Sequence, residues 1–564
     1  MEEAEPKPKA VLAAKWPPAL RFLLVLAGFI ALSATFFWPW LTHLSSVLIG
    51  PPEDNMQDFW NSWHAATAQR WSDFLYTTQI RFPEGTPLTY HSFAWPQVLA
   101  VAGLTRVFGH DFPTLVSLHN LTLLSSFPLA ATAMFYLTRH LLADVPGRDV
   151  AAAIAGFIFA FSPWHVAQVM HHAHVSTIEF FPLFVLLYLL ALERRSYLLL
   201  AAAAFLQAIN ALSCWYFFFY AFYFMVFHFL AERVRTGKYP RGWPMAAPVL
   251  CIGFAALLLA PWLVRMLATN PTSSFLYFGT NMFVADLAAL VAFPPTHLLA
   301  RYGRDVYAAL TGNAWEGAVY LGLANLLLLA WALTRKGDKR ILYYGLAGVG
   351  LFLIVAIGDR VHIAGHVTKI QPPGVLLGAM PILSNIRTPA RAMLLVTMFL
   401  GLALAQASVM IAHDRRRASR AALALVLTLM LLDFTPFHLA STAASCPPAL
   451  KAIADDPGTF GVLDLPRGYG ESNAAMMASV CHGKPIAQGE TARRIGFTFA
   501  DRLEVKDMSL QRQALTAAHV KYIVLHKPQQ KLFQWTGKDG DFAAYLRVYP
   551  TVQAAEDMTV LRVY

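Results

Sequence analysis

The chain has 564 residues, of which 57% are hydrophobic, 13% aromatic and only 14% charged. Soluble domains carry about 25% charged residues, so a purely soluble enzyme, a disordered chain, a collagen-like fibre and a disulfide-rich secreted module are all excluded. The formal net charge of +11 leaves nucleic-acid binding to be judged from where that charge sits.

Residues 1–21 read as a basic cytoplasmic tail. The run from Phe22 to Ser46 is too long for a signal h-region and continues through Phe36, Phe37, Trp38 and Trp40, so it reads as a retained first span. Apolar runs of the length that crosses a bilayer, about 17–25 residues, are predicted at 22–46, 113–138, 149–163, 175–192, 197–212, 213–231, 244–266, 314–334, 341–358, 392–412 and 421–440. With the N-terminus inside, the inner segments hold 20 Lys and Arg residues and the longer outer segments before residue 441 hold ten. That bias follows the positive-inside rule and puts the C-terminus outside. The remainder after residue 440 has 14 basic and 12 acidic residues. The basic excess is therefore a topology signal, and no nucleic-acid partner is expected.

The first outer loop, 47–112, is the richest segment. In "PPEDNMQDFWNSWHAATAQRWSDF" at 51–74, Trp60, Trp63, Thr67, Trp71 and Phe74 recur at steps of three and four. The spacing predicts an interfacial helix over 58–74 with a tryptophan stripe lying flat in the headgroup region. Asp58 falls at its start, where a carboxylate caps free amides, and Asp54 lies one turn earlier in a Pro-rich turn. Residues alone favour a cap for Asp58 and a loop charge for Asp54.

Further along, "HVAQVMHHAHVSTIE" at 165–179 puts His165, Gln168, His172 and Glu179 on one face if it is helical, and His171 and His174 on another. A divalent cation is compatible with such groups, but the spacing matches no closed zinc pattern and no cofactor is required. Sugar binding by His172 and Glu179 and plain interfacial packing stay open. Asp286 and Glu316 lie in or beside the second long outer loop, as sugar-hydroxyl acceptors or as a helix cap and a span-start charge. Arg387 and Arg391, one turn apart at the outer start of a span, suit either a phosphate clamp or interfacial snorkelling. His119, Asn120, Gln207, Asn210, Glu179 and Asp433 also sit toward the outer ends of their spans, which suits surface chemistry better than a path through the membrane.

Residues 441–564 read as a small extracytoplasmic α/β domain, with strands at "FGVLDLP" (460–466), "VKYIVLH" (520–526) and the closing "MTVLRVY". This domain carries no nucleophile or metal pattern and is expected to guide an acceptor or partner without catalysing. Cys446 and Cys481 both fall in it, and a disulfide there is as open as two free thiols.

A long first span, an outer loop with an acidic residue opening a membrane-parallel helix, many further spans and an outer C-terminal domain together resemble the GT-C superfamily of integral membrane glycosyltransferases. "FPEGTPLTYH" (82–91), "ADLAALVAFPPTH" (285–297), "EGAVYLG" (316–322), "SNIRTPAR" (384–391), "VLDLP" and "VKYIVLHK" fit the large bacterial group of that superfamily. The resemblance implies an all-α polytopic module over 22–440 in a bacterial inner membrane. It also implies a polyprenyl-phosphate sugar donor, a glycan, lipid or protein acceptor among the membrane lipids, and an acidic residue of the first outer loop as base. Members often show two adjacent acids there, whereas Asp54 and Asp58 are three residues apart, so either can be the base. The competing classes are a lipid or glycan transporter or flippase, and a non-catalytic subunit of envelope glycan assembly.

Overall fold

The structure, a computed structural model, describes residues 17–142, 144–268, 282–375, 386–412, 417–492, 497–527 and 539–564. Residues 1–16, Arg415, Arg416 and the first two residues of the "SNIRTPAR" motif lie outside the described residues.

Five helices are long and apolar enough to cross a membrane: Pro18–Phe36, Phe112–Leu141, Ala173–Arg194, Trp215–Thr236 and Pro389–Ala412. Two bent pairs, Arg148–Ala160 with Pro163–His171 and Trp243–Leu258 with Ala260–Ala268, raise that number to seven, and four apolar helices of 10–17 residues remain. Each expected span overlaps one of these helices, but a count of eleven would need the four short ones to cross as well. The first span is shorter than expected: its helix ends at Phe36, and the chain then turns through Trp38–Leu41 into a strand, Val47–Ile49.

The helix Met393–Ala412 runs through the middle of the bundle with nearly every side chain buried, as expected of a segment apolar all round. Its neighbour Arg340–Ala356 approaches closely because Gly345 and Gly348 face it. A Cβ on Gly345 would come within 2.7 Å of the Phe399 carbonyl oxygen, and one on Gly348 within 2.3 Å of the Phe399 ring. Small residues at the crossing are what such packing needs.

On the expected outer side, two segments far apart in sequence form a ribbon. Val47–Ile49 pairs antiparallel with Ser441–Ala443. Asn120, from the helix Phe112–Leu141, satisfies this turn, donating to the Leu44 and Val47 carbonyls and accepting from the Ile49 amide. Its polar amide serves the loop backbone, which would otherwise be buried without partners.

The last hundred residues contain a four-stranded sheet. Gly461–Leu465 pairs parallel with Val520–His526, which pairs antiparallel with Met558–Arg562, and Thr551–Ala554 forms the far edge. All three expected strands are present in it. Side chains alternate between two apolar clusters, as strand geometry requires. Leu463, Leu465, Ile523, Leu525 and Leu561 fill one face with Tyr545 and Tyr549. Val462, Tyr522, Val524, Met558 and Val560 fill the other, together with Met476, Phe460, Ile80 and Trp60. Cys446 and Cys481 are joined as a disulfide, which fastens the entry of this segment to the helix Tyr469–His482.

Trp60 corrects the reading of the first outer loop. The stripe is divided: Trp60 is fully buried, packed into the sheet of the C-terminal segment, while Trp71 is exposed, and the helix runs Asp54–Thr67, with a separate 3-10 turn at Trp71–Phe74. Part of the apolar face thus has a protein partner, whose contact removes it from solvent.

Candidate active site

Because the loop-one helix begins at Asp54, Asp58 lies in its second turn and does not cap it. The side chain instead turns toward the segment after residue 163. Ser162 opens the helix Pro163–His171, its hydroxyl accepting from the His165 amide. The helix then breaks at His172, resumes for one turn as Ala173–Ser176, and breaks again before Phe180–Arg194. Pro182 lies in the first turn of Phe180–Arg194, where its missing amide costs nothing and its ring crowds only the Ile178 carbonyl, so the helix restarts just before it. The expected common face of His165, Gln168, His172 and Glu179 is therefore split. His165 bonds back to Ala160 and Ser176, while His172 faces Asp54 and Gln168 reaches His172 and Glu316.

The break frees the Ala173 amide, and Asp58 takes it: Ala173 N–H donates to Asp58 Oδ2 at 2.8 Å. Asn61, one turn on, directs its amide nitrogen at Oδ1 from 3.5 Å. Burial nevertheless dominates, and it pushes the Asp58 carboxyl up to about 8. The Ala173 amide opposes this, the Asp54 charge adds to it, and the Asn61 amide opposes it. Desolvation penalises the charged form, so this carboxylate binds and releases a proton near neutrality.

Asp54 lies on the same side, half-buried. It accepts from the Tyr469 hydroxyl at 2.8 Å and from Asn473 at 3.4 Å, both on the helix Tyr469–His482. His172 Nε2 stands 3.5 Å from its other oxygen. His172 Nδ1 is 3.0 Å from Gln168 Oε1 and 3.7 Å from Glu316. Glu316 in turn receives the Arg391 fork, at 2.9 Å from Nε and 2.5 Å from Nη2. Arg391 Nη1 reaches His174 at 3.3 Å, and the guanidinium covers the Tyr216 ring at 5.2 Å. A continuous polar chain thus runs from Tyr469 through Asp54, His172 and Glu316 to Arg391. His171 stacks flat on Trp315, with Glu53 3.4 Å from its Nδ1.

Of the two arginines read as a phosphate clamp, Arg391 has its fork occupied by Glu316, because a buried guanidinium needs a carboxylate partner. Arg387 is different. Its backbone amide donates to Tyr216, its charge acts on both His172 and Tyr469, and its guanidinium pairs with no carboxylate among the described residues. Asp286 lies apart from this chain of contacts, with its oxygens taken by the amides of Ala288, Ala364 and Gly365, which fold the outer loop over it. Glu179 is buried at the position before Phe180–Arg194, where its side chain makes no capping bond, and its Oε2 has no hydrogen-bond partner among the described residues. Among the described residues no group of three or more His, Cys, Asp or Glu is arranged to hold a metal.

Three residues absent from the sequence reading contact the loop-one acids: Asn61, Tyr469 and Asn473. The last two lie over 400 positions from Asp54, and no local pattern signals that contact. Asn61 was legible in principle, since it follows Asp58 by one helical turn.

The profile of a family described as "Domain of unknown function (DUF6311)" matches residues 13–435. Among curated proteins none matches the sequence. Solved structures do match in fold. The arabinofuranosyltransferase AftD from Mycobacteria is similar at a TM-score of 0.56 and 13% identity, over 97% of this chain and 42% of that one. The apo oligosaccharyltransferase of Archaeoglobus fulgidus is similar at 0.52 and 12% identity, over 95% of this chain and 73% of that one. The chain therefore spans less than half the length of the mycobacterial protein. At such identities the likeness is one of fold, a mostly helical architecture.

Proposed function

The chain belongs to the DUF6311 family, and we propose that it is a membrane glycosyltransferase moving a sugar from a polyprenyl-phosphate-linked donor to a hydroxyl of an envelope glycan, lipid or protein. The observation that carries this reading is the buried Asp58 carboxyl, held between loop one and the helix break at Ala173 in a fold shared with glycosyltransferases. In the proposed step the acceptor oxygen bonds to the anomeric carbon as the bond to the phosphate oxygen breaks. Asp58 takes the hydroxyl proton, and the phosphate leaves with the electron pair. A single displacement of this kind inverts the anomeric centre.

Each remaining group has a part in this reading. Arg387, whose guanidinium pairs with no carboxylate among the described residues, supplies a fork for the leaving phosphate. Asp54 raises the proton affinity of Asp58, and His172 and Glu316 line the wall where sugar hydroxyls would bond. Asp286 has a structural role here, as the anchor of an outer loop.

The extracytoplasmic face is supported by the distribution of Lys and Arg and by the Cys446–Cys481 disulfide, which suits an oxidising compartment. The contacts of Tyr469 and Asn473 with Asp54 make the C-terminal segment part of the site wall rather than a distant accessory. Profiling lipid-linked and envelope sugars in cells carrying Asp58→Asn tests the function. Accumulated donor with a missing sugar is the expected result, and an unchanged profile with folded, inserted protein rejects the enzyme.

A further inference from the structure

His91 closes the "FPEGTPLTYH" motif, to which the chemistry above gives no role. It is buried, and burial together with the neighbouring charges of His64 and Arg81 holds its imidazole down at about 3. The ring is therefore neutral and carries one proton. Its Nδ1 accepts from the Ala492 amide at 3.3 Å, a bond that requires a lone pair there. The proton must then sit on Nε2, which donates to Asn61 Oδ1 at 2.8 Å. With its oxygen so engaged, Asn61 can turn only its NH2 the other way, toward Asp58 Oδ1 at 3.5 Å and the Ser92 carbonyl at 3.4 Å.

Ala492 lies in a strap stitched along loop one, largely by main-chain bonds. Arg81 and Phe82 amides donate to the Gln488 and Ile486 carbonyls, the Ile486 amide donates to Gln79, and Gln57 reaches the Glu490 carbonyl at 2.8 Å.

We infer that His91 and Asn61 are positioning residues that present a fixed donor to Asp58, and that the C-terminal strap 486–492 sets this orientation through the tautomer of His91. The inference rests on the reading of Asp58 as the base, and it makes correct docking of the C-terminal segment a condition for an aimed base. A donor aimed at a carboxylate favours its charged form and fixes its direction. Asp54 faces the same carboxyl with the opposite effect.

The test uses the full chain in lipid bilayers. Nitrogen-15 spectra of labelled histidines, with His91 assigned by its loss in His91→Gln, should show a neutral ring protonated at Nε2. An Nδ1-protonated or doubly protonated ring overturns the relay. The infrared carboxyl band that vanishes in Asp58→Asn reports the Asp58 titration. Its midpoint should rise in Asn61→Ala and, by less, in His91→Ala. It should stay at the wild-type value in His91→Gln, whose amide N–H replaces the Nε2 donor. An unmoved midpoint in Asn61→Ala overturns the inference. In transfer assays Asn61→Ala should lower kcat about tenfold with KM unchanged, its acid limb displaced as far as the spectroscopic midpoint. If Asp58 is not the base, Asp58→Asn transfers normally while the spectroscopic shifts persist, so the two failures are told apart.

Discussion

The Ala173 amide and the Asp58 carboxylate, 115 positions apart in sequence, meet at 2.8 Å. The first is exposed by the helix break at His172, and the second projects from a loop helix packed against the C-terminal segment. An acid so placed is fixed from the helical bundle and from the C-terminal segment at once, and a proton-transfer group needs that rigidity.

Asp58 should also set two opposite pH dependences. As a base it works only when ionised, so transfer is expected to climb as pH rises through about 8. Stability runs the other way. The unfolded chain releases this proton near the ordinary value of 3.8, while the folded chain keeps it to about 8. The native state binds the extra proton between those limits, so stability falls as pH rises across them. Asp58→Asn removes that slope, and its unfolding temperature should exceed the wild type's most above pH 8 and least in acid. Transfer should drop at least about a hundredfold in the same variant, and by less in Asp54→Asn. Normal transfer in both would sink the loop-one mechanism.

Glu316 and Arg391 form a buried ion pair, and breaking one side strands the other charge. Glu316→Gln or Arg391→Met is expected to cost about 3–5 kcal/mol, with much of that recovered in the double variant. Thermal unfolding of the purified protein in detergent measures all three. Additive losses would mean that the two side chains do not depend on each other.

Trp60 links loop one to the sheet of the C-terminal segment. Trp60→Ala should cost about 3–5 kcal/mol at that contact and speed proteolysis of residues 441–564, with the bundle left intact. Trp60→Phe should retain part of the protection. Equal protease resistance in wild type and Trp60→Ala would show that the contact does not hold the segment.

Reporter fusions after Arg235 and Lys336 should read as cytoplasmic, and those after Asp58, Arg304 and Tyr564 as extracytoplasmic. A cytoplasmic signal from the last fusion would turn every polar cluster described here to the other face of the membrane.

What the sequence made legible follows its range. Asp54, His172, Glu316 and Arg391 stand out as polar residues at the ends of apolar runs, a signal carried by a few neighbouring positions, and they lie together in the structure. Alternation likewise marks Gly461–Leu465 and Val520–His526 as strands. The errors arise where partners decide. The Trp60 periodicity is helical, but nothing local says whether lipid or Val462 and Val524 will cover the ring. His172 has helical neighbours, yet the chain breaks there, where its ring meets Asp54 and Gln168 and the freed Ala173 amide meets Asp58. Asp286 reads as a sugar-hydroxyl acceptor or a helix cap, and only the structure shows its oxygens taken by the amides of a distant loop. Tyr469 and Asn473 carry no mark at all, since their role exists only once Asp54 is brought beside them.

The ribbon between Val47–Ile49 and Ser441–Ala443 also orders the birth of this protein in time. Its first strand leaves the ribosome almost four hundred residues before its partner, and loop closure over that span is slow. Throughout that interval the loop-one acids lack Tyr469, Asn473 and the strap that aims Asp58. A nascent or prematurely ended chain can occupy the membrane with every span inserted and still hold no assembled site. Competence for chemistry thus arrives in one late event, after translation has passed the last strand.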